Sequence, residues 1–259
     1  MNLVLLLLSG VFLPLFPLSW LFNRLVASAP GAWAKALAIL VLPQLGVQLL
    51  WTSGLRFSGI AGPWHGPAAA LALGTAILYA FRAISVREIT IWARFMATSG
   101  LALAWLQVLA GLPAAQVQLS LLAWSIPGAL LCLWAGELAR RMGGAYIGLS
   151  GGVARVLPRL STLLTMGALA ATATPVFPGF FVLLNVMGVL PAGWVPFLLP
   201  VLFLWGWSIG RFLQDLLFGV YRGEEVEDLG IAGAWAGALV LVVFAVAGLF
   251  FWGATWTVS

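Results

Sequence analysis

Ala171-Thr172-Ala173-Thr174-Pro175-Val176-Phe177-Pro178-Gly179 decides how the chain is read. It lies inside an apolar stretch, residues 160–190, that is too long for one straight membrane helix. A proline inside a helix removes a backbone donor and crowds the turn before it, so two prolines three apart and then a glycine cannot continue an ordinary helix. Irregular backbone at membrane depth is tolerated only where protein buries it or it lines a cavity, and transporters place such broken helices at their ion sites. The bare residues leave two readings open: a hinge on an ion path, built on Pro175, Pro178 and Gly179, or a proline-kinked packing helix.

The chain around this stretch is equally apolar. Its 259 residues include only 12 basic and 7 acidic side chains, so charged residues make up 7%, against roughly 25% in a soluble domain. Hydrophobic types reach 63% and the mean hydropathy is +1.10. That composition excludes a soluble enzyme, a disordered chain and a nucleic-acid-binding domain, and it makes the lipid bilayer the medium around the protein. The isoelectric point near 10.4 comes from thinly spread arginines with no basic stripe. The single cysteine, Cys132, excludes a disulfide framework and a cysteine metal site, and the single histidine, His65, excludes a histidine cluster. No metal and no cofactor is expected.

A bilayer core needs about 20 apolar residues per helix. The stretches that meet this are 2–22, 33–52, 66–82, 92–111, 116–137, 160–190, 194–219 and 231–256. The expected fold is therefore an all-α integral membrane protein, a single polytopic domain over 1–259 of about eight transmembrane helices, the sixth discontinuous. Ala27-Ser28-Ala29 looks like a signal-peptidase site, but the first charge, Arg24, follows the apolar stretch instead of preceding it, so the first helix is read as uncleaved.

Basic residues set the expected orientation. The loops after the first, third, fifth and seventh helices hold Arg24 and Lys35; Arg82, Arg87 and Arg94; Arg140, Arg141, Arg155 and Arg159; and Arg222. The alternate loops hold Arg56 alone. The positive-inside bias then predicts a multi-pass protein of the cell inner membrane with both termini outside. The acidic run Glu224-Glu225-Val226-Glu227-Asp228 falls in the last cytoplasmic loop and reads as a solvated turn in preference to a partner-docking site. The tryptophans are expected mostly at the membrane interfaces.

Ionisable residues within spans are candidates for function. Arg211 and Asp215, four apart in the seventh helix, are placed to form an internal ion pair, read either as part of a proton relay or as a self-neutralised structural feature. Arg94 and Glu137 sit near cytoplasmic helix ends, where snorkelling also accounts for them, as it does for Lys35. The ion-path candidates are thus Asp215, Arg211, Glu137 and Arg94. No catalytic residue is assigned: serines, threonines and the cysteine lack a nearby histidine or carboxylate, and no glycine-rich loop follows a strand.

The segment from about Arg82 to Gly219 resembles the antiporter-like, proton-translocating membrane subunits. That family is shared by respiratory complex I, Mrp-type cation/proton antiporters, membrane-bound hydrogenases and DAB-type inorganic-carbon complexes. The resemblance is carried by Arg141-Met142-Gly143-Gly144, by Gly151-Gly152-Val153-Ala154-Arg155-Val156-Leu157-Pro158-Arg159-Leu160-Ser161-Thr162-Leu163 and by Gly167-Ala168-Leu169-Ala170. In the family a Gly-Gly loop of this kind leads into a helix with a Pro-Gly break, which Pro175 to Phe180 matches. Arg87-Glu88-Ile89 with Phe95 and Ser99, Trp134-Ala135-Gly136, and Leu217-Phe218-Gly219 are similar to further family segments. The resemblance implies an antiporter-like second-repeat scaffold, with Gly151, Gly152, Arg155 and Arg159 as a docking loop.

The family's titratable residues are missing from the matching positions. Its lysine falls at Thr90, two histidines at Gly100 and Trp124, a glutamate or lysine at Leu183, and a last histidine at Gln214, while the only lysine and histidine of this chain are read as lying elsewhere. Family members have about fourteen helices, so the resemblance implies a shortened, degenerate member. The expected function is a non-catalytic membrane subunit of a larger ion-translocating complex, its own proton path largely lost. It would bind other membrane subunits and a soluble cytoplasmic catalytic partner. Two alternatives stand beside it: a subunit of a DAB-type inorganic-carbon accumulation complex, and a cation/proton transporter using Asp215 and Glu137.

Overall fold

The computed structural model describes residues 3–53, 65–148, 152–221 and 226–252, and among them only helices and connecting turns are found apart from one isolated bridge, Glu88 with Tyr146. The helices are α1 (Leu3–Phe12), α2 (Ser19–Ser28), α3 (Gly31–Thr52), α4 (His65–Ser85), α5 (Ile89–Leu109), α6 (Ala114–Met142), α7 (Val153–Val156), α8 (Pro158–Ala171), α9 (Pro178–Val189), α10 (Leu199–Leu217) and α11 (Ile231–Ala247). A 3-10 segment, Ala192–Leu198, leads into α10, and a π turn, Gly248–Trp252, continues α11.

Six stretches among the described residues are long and apolar enough to cross a membrane: α3, α4, α5, α6, Ala192–Leu217 and Ile231–Phe250. The protein is a multi-pass membrane protein. The expected count of eight uninterrupted or once-broken spans changes at both remaining stretches. The sixth predicted span, 160–190, is the pair α8 and α9 joined by residues 172–177, as the double proline demands. The first, 2–22, is not one helix either: it is α1 and α2, separated by residues 13–18.

The two breaks share a sequence. Pro14-Leu15-Phe16-Pro17 and Pro175-Val176-Phe177-Pro178 are both proline, aliphatic, phenylalanine, proline. Each frees backbone groups that must find partners inside the bundle. At the first break the Phe16 amide donates to Thr75 Oγ1 at 3.0 Å, and the Leu13 carbonyl accepts the Trp105 indole at 3.1 Å. At the second, the amides of Thr172 and Thr174 both return to the Leu169 carbonyl. Helices α2 and α8 have 10 and 14 residues, so the breaks lie about 15–21 Å from the outer ends of those helices, near the middle of a core about 30 Å thick.

Helix α5 is the axle. It is almost wholly buried, with α4 and α6 packed along it and α2, α3, α8 and α9 also touching it. Small residues set the close approaches: a Cβ on Gly136 of α6 would lie 2.5 Å from Ala32 Cβ of α3, and one on Gly46 of α3 would lie 2.6 Å from the Leu13 amide. Small side chains let apolar helices gain contact where the hydrophobic effect offers little between them. By contrast, α11 stands at the periphery and shows Trp235, Leu239 and Val242 outward, as a lipid-facing helix should.

The charged ends meet on one face. The loop after α6, which leaves the helix at Gly143 with φ 73°, pairs with the corner between α4 and α5. There Ile89 N donates to Ala145 O at 2.9 Å and Ile147 N to Arg87 O at 2.6 Å. Asp228 caps α8 from the far side of the sequence, accepting from the amides of Arg159 at 2.8 Å and Leu160 at 3.3 Å. The acidic run is therefore not simply a solvated turn at its described end: Asp228 holds a helix terminus, and the Glu227 carbonyl accepts from Arg141 Nε at 3.1 Å.

Candidate functional site

The centre of the bundle is built by α4, α5, α6, α9 and α10 around four aromatic rings. Trp92 and Phe212 pack with centroids 4.7 Å apart, and Trp124 and Trp205 with centroids 5.3 Å apart. The indoles of Trp92 and Trp205 are buried, and each donates to a serine: Trp92 Nε1 to Ser208 Oγ at 2.7 Å, Trp205 Nε1 to Ser99 Oγ at 2.9 Å. Ser99 in turn donates to the Ala76 carbonyl at 2.7 Å, tying α10, α5 and α4 together. These tryptophans, with Trp105, Trp124 and Trp134, are buried in the bundle, whereas Trp20, Trp33, Trp51, Trp207 and Trp235 are exposed.

Trp124 links the column to the broken helix. Its ring covers Gly100, where a Cβ would lie 2.7 Å from the indole, and it reaches Gly179 at the start of α9, where a Cβ would lie 3.2 Å away. Gly100 and Trp124 are two of the three positions at which the resemblance calls for histidine, and here the Trp124 ring lies over the space beside Gly100. Leu183, at the position of the family's glutamate or lysine, is buried, and Gln214 is exposed. The backbone between Ala171 and Pro178 turns through positive φ at two non-glycine residues, Ala173 at 54° and Val176 at 99°. A β-branched residue in that region is strained, and such strain persists only where the surroundings fix it.

The structure disperses the four ion-path candidates. Asp215 and Arg211 are at the charged face and line a small cleft with Arg87, Trp92, Ser208 and Ile147, but they do not form the expected ion pair. Arg211 instead turns its Nη1 onto the Ile84 carbonyl at 2.6 Å, a fixed acceptor on α4 that outcompetes a partner on its own helix. Asp215 packs against Gly148, whose φ of 81° and lack of a side chain admit the carboxylate. Glu137 is held by Arg140 and Arg141 one turn further along α6, and these are the ion pairs found among the described residues. Arg94, half-buried on α5, lies over the Phe95 ring at 5.5 Å with its Nε unpartnered. Neither Arg94 nor Glu137 lines the Asp215 cleft.

Of the loop residues, Gly151 lies outside the described residues. Gly152, at φ 73°, donates its amide to the Phe218 carbonyl at 2.9 Å and leaves no room for a side chain against Gly219. Arg159 Nη1 reaches the Leu229 carbonyl at 3.0 Å, whereas Arg155 points outward. Two features escaped the sequence reading. One is the pairing of the aromatic column. The other is the position of Lys35, which is not remote from the family's lysine position: it shares a cavity with Thr90 and Glu88. Nothing in the spacing of residues 35, 88 and 90 signals that contact. Among the described residues there is no cluster of three or more metal-ligating side chains.

A polytopic α-helical bundle with a broken helix crossing beside a buried axle has the fold of the antiporter-like membrane subunits. Among the solved structures that show it are chains of three membrane assemblies. A chain of respiratory complex I from Thermus thermophilus matches with a TM-score of 0.78 at 24% identity, over 96% of this chain and 55% of that one. A chain of the Mrp complex from Dietzia sp. DQ12-45-1b matches with a TM-score of 0.77 at 15% identity, over 93% and 54%. A chain of the membrane-bound sulfane sulfur reductase, an archaeal respiratory membrane complex, matches with a TM-score of 0.78 at 18% identity, over 95% and 44%. The chain thus spans about half the length of the chains it matches. No protein-family model matches the sequence, and no curated protein matches it.

Proposed function

We propose that the protein is a non-catalytic membrane subunit of a larger ion-translocating complex, and that its own proton path is largely lost. The observation that carries this reading is Trp124, packed over Gly100 and against Trp205 and Gly179. Protons cross hydrocarbon along titratable groups or water, and here the centre beside the break is occupied by indole rings, those of Trp92 and Trp205 donating to serines. The scaffold and its broken helix then serve assembly with other membrane subunits, with the charged face turned to the cytoplasm and a soluble catalytic partner there. An inner-membrane location with outward termini follows from the distribution of arginines.

Reconstitution tests it. The full chain in proteoliposomes under an imposed potential should pass no more protons than protein-free vesicles, with the same result for Asp215→Asn. A flux that Asp215→Asn abolishes would establish the transporter reading instead. Purification in mild detergent should bring other membrane subunits with it; a stable lone monomer would count against a subunit role.

A further inference from the structure

Off the central axis, α3, the start of α5 and the last turns of α6 enclose a cavity of about 290 Å³. Its wall is made of small residues, among them Gly31, Ala32, Ala135 and Gly136, so backbone lines much of it. Three polar side chains face it: Lys35 from α3, Glu88 from the residue before α5, and Thr90. Lys35 and Glu88 carry opposite charges yet form no ion pair within 4.0 Å, and neither side chain has a hydrogen-bond partner among the described residues. Two charges that share a cavity in a membrane protein and do not neutralise each other need another source of solvation. The cavity has space for on the order of ten waters.

The cavity also has direction. Its lining runs along α6 from Gly143 and Gly144 at the charged face, beside the exposed Tyr146, to Cys132. Cys132 lies eleven positions before Gly143, about 16 Å along the helix, and five positions, about 8 Å, inside the end of the apolar span at residue 137. Cys132 is buried, and Lys35, Arg94 and Glu88 are all within electrostatic reach of it.

We propose that this cavity is a water-filled vestibule, open at the charged face and closed at Cys132, in which Lys35 and Glu88 are solvated charges on opposite walls. It admits water and small polar solutes as far as Cys132 without joining the aromatic column. The two charges on its lining are of opposite sign, so solutes of either sign can enter it. The inference does not depend on the proposed subunit role, since a vestibule can exist with or without partners and with or without flux.

Cys132 is the only cysteine in the chain, so the native protein is its own probe. Membrane vesicles of each orientation, carrying the full chain, are treated with two membrane-impermeant thiol reagents, cationic trimethylammonium-ethyl methanethiosulfonate and anionic sulfonatoethyl methanethiosulfonate. Both should label Cys132 from one side only, the side bearing the loop after α6. Lys35→Gln should shift the ratio of the two rates toward the cationic reagent and Glu88→Gln toward the anionic one, each by roughly fivefold for a unit charge about 8 Å from the path. Ala139→Phe, which fills the lumen, should slow both reagents. Labelling from both sides, or no labelling until the chain is unfolded in detergent, overturns the vestibule. A rate ratio unmoved by both charge variants overturns the placement of Lys35 and Glu88 on the water path.

Discussion

The indole of Trp124 illustrates how much one side chain can decide inside a membrane bundle. It needs the missing Cβ of Gly100 to lie flat against α5, and the missing Cβ of Gly179 to pass the start of α9. A methyl at Gly100 would have to push the ring into Trp205, its neighbour at 5.3 Å. Gly100→Ala should therefore destabilise the protein by about 1–3 kcal/mol, the usual cost of overpacking, despite alanine's better helix propensity. Thermal unfolding in detergent, followed by tryptophan fluorescence, measures this; an unchanged or raised melting temperature would show that the column is loosely packed. Little of this contact is legible in sequence. Gly100 and Trp124 stand out only as positions where a resemblance calls for histidine, and nothing local says that the second residue covers the first. Lys35 is the same case: a lone lysine near a helix start reads as a snorkelling side chain, and its approach to Glu88 depends on how α3 leans on α6.

At the scale of the element, the broken helix was readable and its counterpart was not. Residues 160–190 offer more apolar length than a membrane needs, so the prolines have an obvious role in dividing it. Residues 2–22 have the length of one span, and the same proline, aliphatic, phenylalanine, proline sequence is hidden inside a hydropathy signal that is already satisfied. Length masked chemistry. The second break also stores strain, with Val176 at φ 99°, where a side chain branched at Cβ costs on the order of 1–3 kcal/mol. Val176→Gly removes that cost and adds back roughly 1 kcal/mol of backbone entropy. Since Val176 is exposed and little packing is lost, the variant should be as stable as the parent or up to about 2 kcal/mol more so. A clear loss of thermal stability would mean that the Val176 side chain holds the break in place.

Across the whole molecule, the charged face is a latticework of backbone and side-chain bonds between segments distant in sequence. The pairing of residues 87–89 with 145–147, Gly152 with Phe218, and Asp228 with the start of α8 joins the ends of α5, α6, α7, α8 and α10 and the segment before α11. Removing the last of these should show how far the face acts as one body. Asp228→Ala deprives the amides of Arg159 and Leu160 of their acceptor and should cost about 0.5–2 kcal/mol, as loss of a helix cap does. Hydrogen exchange should then rise at the first turn of α8 and at Leu229; a rise confined to α11 would assign Asp228 to that helix alone.

The same carboxylate sets an order of events during synthesis. Asp228 lies 69 residues after the amide it caps, so a ribosome adding about 5–20 residues per second takes roughly 3–14 s to supply it after the start of α8 has been made. Through that interval the first amides of α8 are left to water at the membrane surface, and they gain the Asp228 acceptor only when the segment before α11 has been made.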